Sequence, residues 1–399
     1  MGRQPLLARS VTTTPILKTP HHHLRVEIVA DLPSFESLRD AWDALVADAK
    51  AGPFVSHPWL SAWWSAFGDG AEAAIILAWR GERLEAAIPL SRGRTAPYRS
   101  LPQLRFPTLR VLSHTRTGFN SFLVAPAATE AAAAVAEALL VRLPSWSTAI
   151  LEPMRQSAAQ DTFLIATASV GMRHVLERTM RGSIADLTTG WGDYLARRSR
   201  QVRKLIRQSR RRIAEGPYRV WTEQDGGPAV LDRFLDLSLH SWKGQAGTAL
   251  GSLIPNRRFM HALWRGFEPT AGMRMHLLEM RGQDVAGLIS FVDGKRVFGF
   301  AIDFREDHAK LAPSRFLLAH WLEENADRGI QIVDFLRDSP FWRLYADETY
   351  ELSTLRLFPR MNTAWLAAQA AETIRPIGRR WRSEWWRRRR RRSAFKDTA

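Results

Sequence analysis

Apolar and polar positions follow two distinct periods along this chain, and the switches between them divide it into elements. Phe35, Leu38, Trp42, Leu45 and Val46 recur at helical spacing and predict a helix over 34–50. Pro53-Phe54-Val55-Ser56 interrupts it. Ser56 reads as the N-cap of a second helix with Pro58 in its first turn, and Trp59, Trp63 and Phe67 run along one face. That stripe reads as core rather than as a ligand site. Residues 73–80 predict a strand, Gly81-Glu82 a turn, and 84–90 the returning strand of a hairpin. An alanine-rich helix is expected over 128–142 and a further strand over 147–151.

The second half repeats this plan. Met273, Met275 and Leu277 alternate with Arg274 and His276, giving a strand over 273–280 that turns at Arg281-Gly282 and returns over 285–292. Asp293-Gly294 is a two-residue hairpin signal leading into a third strand, 296–303. A helix over 314–327 ends at Gly329, and 330–336 predicts a strand. At an offset of 201, Leu77-Ala78-Trp79-Arg80-Gly81 lies over Leu278-Glu279-Met280-Arg281-Gly282, and Ile88 over Ile289. Duplication of one supersecondary unit leaves this kind of trace. Between the copies, 191–214 reads as one basic helix whose apolar positions Leu195, Val202, Ile206, Ser209 and Ile213 form a narrow stripe.

Length and composition sharpen the picture. A chain of 399 residues suggests two lobes, and 45 % hydrophobic residues with 16 Trp and 19 Phe supply a sizeable core. The absence of cysteine excludes disulfides, thiolate metal sites and Cys nucleophiles, and fits a reducing compartment. Met1 to Arg9 lacks the apolar centre of a secretion signal, and no apolar run reaches the roughly 20 residues that span a bilayer. A cytoplasmic protein is therefore expected. Residues 1–23 read as a disordered tail, and His21-His22-His23 as part of it in preference to a weak metal site.

The net charge is +17, but two segments carry the excess. Segment 194–214 and segment 375–399 each hold +9, which leaves the rest of the chain at −1. The first could face solvent, RNA phosphates or a membrane. In the second, Trp381, Trp385 and Trp386 precede six arginines, Arg387 to Arg392. That mixture suits peripheral attachment to an anionic bilayer at its inner face, and also suits nucleic acid.

Several stretches together resemble one family. Pro53-Phe54-Val55-Ser56-His57-Pro58-Trp59-Leu60 with Trp63-Trp64 resembles the opening motif of CelD-like acetyltransferase proteins of the GNAT superfamily. Ser241-Trp242-Lys243-Gly244-Gln245-Ala246-Gly247-Thr248-Ala249-Leu250 is similar to a gWKGxAGTAL motif in one branch. Ala301-Ile302-Asp303 and Leu311-Ala312-Pro313-Ser314-Arg315-Phe316-Leu317-Leu318 resemble that branch's AYD and SPG segments, although Arg315 stands where the family has Gly. Many relatives carry DFGRGDE after the last strand, where this chain reads Asp334-Phe335-Leu336-Arg337-Asp338-Ser339-Pro340. The resemblance implies an α/β protein with two tandem GNAT-like lobes, as in the FemAB aminoacyl transferases. Each lobe would be a mixed, mostly antiparallel sheet flanked by helices. The expected division is tail 1–23, lobe 24–180, basic helix plus lobe 181–372, and tail 373–399.

The resemblance further implies an acyl-CoA co-substrate, in the first instance acetyl-CoA, and an amine acceptor on a small molecule, sugar or peptide. Cell-envelope or exopolysaccharide (cellulose) synthesis is the expected setting, and no metal is required. Two alternatives stand beside it: tRNA-dependent aminoacyl transfer, and a non-catalytic part in a polysaccharide-synthesis assembly. The chemistry has three needs. Donor phosphates suit a loop feeding a helix N-terminus, here Lys310, Leu311, Ala312, Pro313 and Ser314. Carbonyl polarisation suits backbone N–H groups near Phe300 and Ala301. Proton removal has three candidates, Asp303, Asp334 and His240, with Trp242, Lys243 and Gly244 supporting the acceptor.

Overall fold

The computed structural model describes residues 23–70, 72–96, 105–113, 118–143, 145–359 and 362–369. The expectations for the first tail up to residue 22 and for residues 373–399 lie outside these. In the first half the elements are β1 (Leu24–Val29), α1 (Leu32–Glu36), α2 (Arg39–Asp48), α3 (His57–Phe67), β2 (Glu72–Arg80), β3 (Arg83–Thr95), β4 (Phe106–Val111), β5 (Leu123–Val124), α4 (Thr129–Val141), β6 (Thr148–Arg155), α5 (Ala158–Ser169) and β7 (Arg173–Asp186). In the second half they are α6 (Gly190–Arg197), α7 (Arg200–Ala214), β8 (Tyr218–Thr222), α8 (Glu223–Gly226), α9 (Pro228–Leu239), α10 (Trp242–Gln245), α11 (Ile254–Phe267), β9 (Met273–Met280), β10 (Gln283–Asp293), β11 (Arg296–Phe304), α12 (Pro313–Asp327), β12 (Ile332–Asp334) and β13 (Glu348–Phe358).

The strands form one mixed sheet in the order β1-β2-β3-β4-β6-β13-β7-β12-β11-β10-β9-β8, with β5 beside β3. Each half is an antiparallel meander, a helix, and then a strand parallel to the end of the meander. In the first half β6 runs parallel to β4, and in the second β12 runs parallel to β11. The hairpins β2–β3 and β9–β10 are the segments that match at offset 201. Their turns place Gly81 at φ 60° and Gly282 at φ 78°, a left-handed backbone that glycine adopts without Cβ strain.

The halves are closed by exchange. β13, from the end of the chain, lies between β6 and β7, while β7 pairs with β12 of the second half. The expected boundary between residues 180 and 181 falls inside β7, so a continuous strand carries the chain across it. The aromatic stripe of α3 supports the same junction. Trp59 is fully buried and meets Phe259 and Phe291 of the second half edge to face, with centroids 5.3 Å apart in each case. Phe54 meets Phe298 at 5.4 Å.

The helix expected over 34–50 is two helices, α1 and α2, parted at Ser37-Leu38. Ser56 holds the N-cap position of α3 as expected, its carbonyl accepting from Leu60 N–H, while its hydroxyl donates to the Pro53 carbonyl and caps no N–H of the first turn. The basic helix expected over 191–214 is two helices, broken at Arg198-Ser199. Arg198 is buried there; it donates to the Ala346 carbonyl at 2.7 Å, pairs with Asp347 and lies over the Tyr194 ring. Ser199 then recaps α7 by accepting from Val202 N–H. Finally, the strand expected over 330–336 is only β12, because Leu336 turns the chain with φ 61°.

Candidate active site

β11 pairs with β10 along its whole length, and with β12 only from Arg296 to Phe298. Past that point the two parallel strands separate. A slip in the β10 register, with Ile289 opposite Ala301 and Ser290 opposite Gly299, leaves Phe300 as an extra residue. A cleft of about 350 Å³ opens in the fork. Its floor is the edge of β11 from Gly299 to Phe304, and α12 contributes Ser314 and Trp321. α10 contributes Trp242 and Lys243, and the far wall is Phe335 to Arg337 with Phe341 and Trp342.

The corresponding fork of the first half is filled by its own chain. There Asn120 continues the pairing with β6: its N–H donates to the Pro153 carbonyl at 2.6 Å, and its side-chain amide donates to the Glu152 carbonyl at 2.9 Å. Asn120 is fully buried between the buried Phe119 and Phe122. Among the described residues one fork is therefore plugged and the other open.

Asp303 is the carboxylate among the cleft-lining residues and is only 2 % exposed. Lys243 answers it: Nζ lies 2.5 Å from Asp303 Oδ1 and donates to the Ile302 carbonyl at 2.9 Å. The position of Lys243 comes from local backbone chemistry. Ser241 caps α10 by accepting from Lys243 N–H, and its own hydroxyl donates to the Ser238 carbonyl. Gly244, expected to support the acceptor, is not among the residues lining the cleft. It permits approach to α9 instead, since a Cβ there would sit 1.9 Å from the Leu239 carbonyl oxygen.

The expected site residues are thus divided. Asp303, Trp242, Lys243, Phe300, Ala301 and Ser314 line the cleft together. Lys310, Leu311, Ala312 and Pro313 do not line it; 306–311 is wound into a 3₁₀ turn ending in a left-handed Ala312. His240 lies outside the cleft, exposed at the C-cap of α9, where its carbonyl accepts from Glu306 N–H. Asp334 points to the opposite side of the sheet and is fully buried at the junction of the halves. There it accepts from Leu336 N–H at 2.9 Å and from the Tyr350 hydroxyl at 2.8 Å, with Arg155 and Arg296 at 3.5 and 3.6 Å. Burial raises its pKa above the ordinary carboxylate value, partly offset by those two hydrogen bonds. Asp334 joins the halves and does not line the cleft.

Two site features escaped the sequence reading. Arg337 lines the cleft; burial lowers its pKa, and its Nη1 contacts Met180 Sδ at 2.8 Å. Leu336 occupies the position of a glycine in DFGRGDE and is held at φ 61°. The displaced glycine was the available signal for a sharp turn at this wall. Arg315, the other departure from the family pattern, is absent from the cleft wall and hydrogen-bonds Tyr345.

Residues 200–350 match the family described as acetyltransferase (GNAT) domain. The fold resembles that of FemX with a TM-score of 0.57 at 11 % identity, covering 80 % of this chain and 95 % of that one. It also resembles L-PGS from Bacillus licheniformis, with a TM-score of 0.51 at 11 % identity, covering 86 % and 97 %. The C-terminal domain of a putative lysylphosphatidylglycerol synthetase from Agrobacterium fabrum gives 0.50 at 13 % identity, covering 85 % and 96 %. No curated protein matches the sequence. Residues 200–350 are thus similar to a GNAT acetyltransferase domain, and the chain as a whole shares its fold with FemX and L-PGS. Among the described residues no group of three or more His, Asp or Glu could hold a metal ion, and no helix is long and apolar enough to cross a membrane.

Proposed function

We propose that the second half transfers an acyl group from an acyl-CoA thioester, acetyl-CoA in the first instance, to an amine. The observation that carries this reading is the open edge of β11 beyond Phe298, adjoining the bulge at Phe300. An extended pantetheine arm adds to such an edge as a further strand. Backbone N–H groups at Phe300-Ala301 then lie near the thioester carbonyl, where negative charge develops. The donor phosphates run toward the N-terminus of α12, with Ser314 at the cleft and with Lys310 and Arg212 beside it; Arg212 Nη1 donates to the Lys310 carbonyl at 2.9 Å.

In the reaction the amine nitrogen attacks the carbonyl carbon. A C–N bond forms, the C–S bond breaks, and the sulfur leaves as thiolate. The amine's proton passes to Asp303 and from there to the thiolate, so the carboxylate is regenerated. Lys243 holds Asp303 in place, and Trp242 and Arg337 flank the acceptor. On the family resemblance, the acceptor belongs to cell-envelope or exopolysaccharide synthesis. Calorimetric titration with acetyl-CoA and a longer acyl-CoA tests the donor, with micromolar saturable binding expected. Binding of neither would overturn the thioester reading.

A second reading has its own observation. Arg200, Lys204, Arg207 and Arg211 stand exposed on one face of α7, beside the donor side of the cleft. An aminoacyl-tRNA donor would use such a stripe for its phosphates and would react by the same acyl chemistry from an ester. It predicts binding of charged tRNA that falls steeply with salt.

A further inference from the structure

We propose that the mouth of the cleft is a docking surface for an anionic lipid bilayer, and that the acyl acceptor is an amine presented at that surface. The docking surface stands on its own observations; only the role given to the acceptor rests on the reading of the cleft as the acyl-transfer site.

Four large apolar side chains stand in solvent around the C-terminal end of α9: Leu239 (40 % exposed), Trp242 (57 %), Leu253 (56 %) and Ile254 (69 %). They come from successive short segments that two glycines press against α9. A Cβ on Gly244 would meet the Leu239 carbonyl oxygen at 1.9 Å, and one on Gly251 the Leu235 carbonyl oxygen at 2.2 Å. Gly251 N–H also donates to the Ser238 hydroxyl at 3.1 Å. Other exposed large apolar residues, such as Val141, Ile165 and Leu176, stand on separate elements. Single exposed leucines need no explanation, whereas a group of four at the entrance of a cleft marks a contact surface.

Charge decides the partner. From Leu237 to Phe267 the sequence contains no Asp or Glu but holds Lys243, Arg257, Arg258 and Arg265. Arg257 is answered by Asp236, just outside the stretch, at 2.5 Å. Across the mouth, Glu306 N–H donates to the His240 carbonyl and its side chain is an exposed carboxylate, while the nearby Asp307 is paired with Arg305. The surface then continues through Lys310 and Arg212 to the exposed cations of α7. With Lys243 held by Asp303 and Arg257 by Asp236, the exposed cations are Arg258 and Arg265 on α11 and those of α7. Apolar side chains flanked by such cations suit a bilayer whose headgroups are anionic: the apolar groups enter the headgroup boundary and the cations meet the phosphates. A water-soluble polyanion would leave all four apolar side chains in water. Trp242 belongs to both the mouth and the cleft wall, so an amine anchored in the bilayer plane enters directly beside Asp303 and Lys243.

The natural chain has no cysteine, so single thiols report single positions. The full-length variant Ile254→Cys is labelled with an environment-sensitive fluorophore, and Ile165→Cys on α5, 72 % exposed, serves as the control. Both are mixed with vesicles of phosphatidylglycerol and phosphatidylcholine, and with phosphatidylcholine alone. With the anionic vesicles the label at 254 shifts to the blue and brightens several-fold, and is quenched by a bilayer-embedded quencher, while the label at 165 does not change. An unchanged label at 254 in protein that co-sediments with the vesicles places docking elsewhere and overturns the proposal. So does failure to co-sediment with anionic vesicles. A blue shift that needs no vesicles and grows with protein concentration assigns the patch to a second copy of this chain and equally overturns it. None of these results depends on acyl-CoA binding, so failure of the donor reading remains separately visible.

Discussion

The Lys243–Asp303 pair gives the most direct test of how the cleft is built. Asp303 is 2 % exposed, and Lys243 Nζ approaches its Oδ1 at 2.5 Å. Lys243→Met removes the facing cation and leaves a buried carboxylate poorly compensated. Breaking a buried pair costs about 3–5 kcal/mol. Because the lysine side chain is 18 % exposed, water offsets part of that loss, and about 2 kcal/mol is the expected destabilisation. Asp303→Asn removes the charge and leaves Lys243 its bond to the Ile302 carbonyl, so the cost is smaller, about 1 kcal/mol. In the double variant the uncompensated charge is gone, and its cost falls below the sum of the single ones. Urea unfolding of all four proteins at pH 7, followed by tryptophan fluorescence, measures the coupling energy, which is expected near 1 kcal/mol or above. Turnover adds the functional half: Asp303→Asn lowers kcat at least about tenfold, which is about 1.4 kcal/mol of barrier, with acyl-CoA affinity retained. A coupling near zero together with unchanged turnover would refute the assignment of this pair to both the structure and the chemistry of the cleft.

Other expectations follow from neighbouring contacts. Gly244→Ala puts a methyl group against the Leu239 carbonyl and so displaces α10 with Lys243; turnover should fall more than global stability does, read by comparing kcat with the urea midpoint. Trp59→Ala opens a cavity between the halves and should cost about 3–5 kcal/mol; calorimetry should still show one transition, because β7 and β13 tie the sheet together, and two separated transitions would contradict that. Asp334 has a raised pKa, so the folded state binds its proton more tightly than the unfolded state does. Stability attributable to it falls as pH rises from the ordinary value of 3.8 through the raised one, then stays level. Asp334→Asn should remove that falling segment from the stability curve, so the difference between wild type and variant isolates it. Leu336→Gly should relieve a left-handed backbone but lose the contact of this buried side chain with Gly118. The packing loss exceeds the roughly 1 kcal/mol of strain, so net destabilisation is expected.

The parts of this protein that were legible in its sequence are those whose local pattern and tertiary environment agree. β9, β10 and β11 were readable because α9 packs on one face of them and α12 on the other, burying Met275, Leu277 and Ile289 on the first side and Leu278 and Leu288 on the second, and because the turns at Gly282 and Gly294 are conformationally explicit. The offset of 201 exposed the repeated hairpin for the same reason. The strands that exchange between halves carry no such signal. β7 is Arg-His-Val-Leu-Glu-Arg-Thr-Met-Arg-Gly-Ser-Ile-Ala-Asp, and its polar residues face partners that only the fold supplies, such as Glu177 with Arg356 at 2.9 Å. A polar strand in the centre of a sheet looks like a loop until its neighbour is known. The site divides along the same line. Asp303, Lys243 and Trp242 could be named because short motifs place them on a strand end and a helix start. Asp334 was equally conspicuous, yet an alternating strand sends successive side chains to opposite faces. Phe335 lines the cleft while Asp334 is turned to Tyr350 and Arg155. Which face holds the substrate depends on where β11 and β12 part, and that separation is a property of the whole sheet. The first fork makes the point again: Asn120 and its neighbours have no motif, yet among the described residues their place against β6 fills the gap that stays open between β11 and β12.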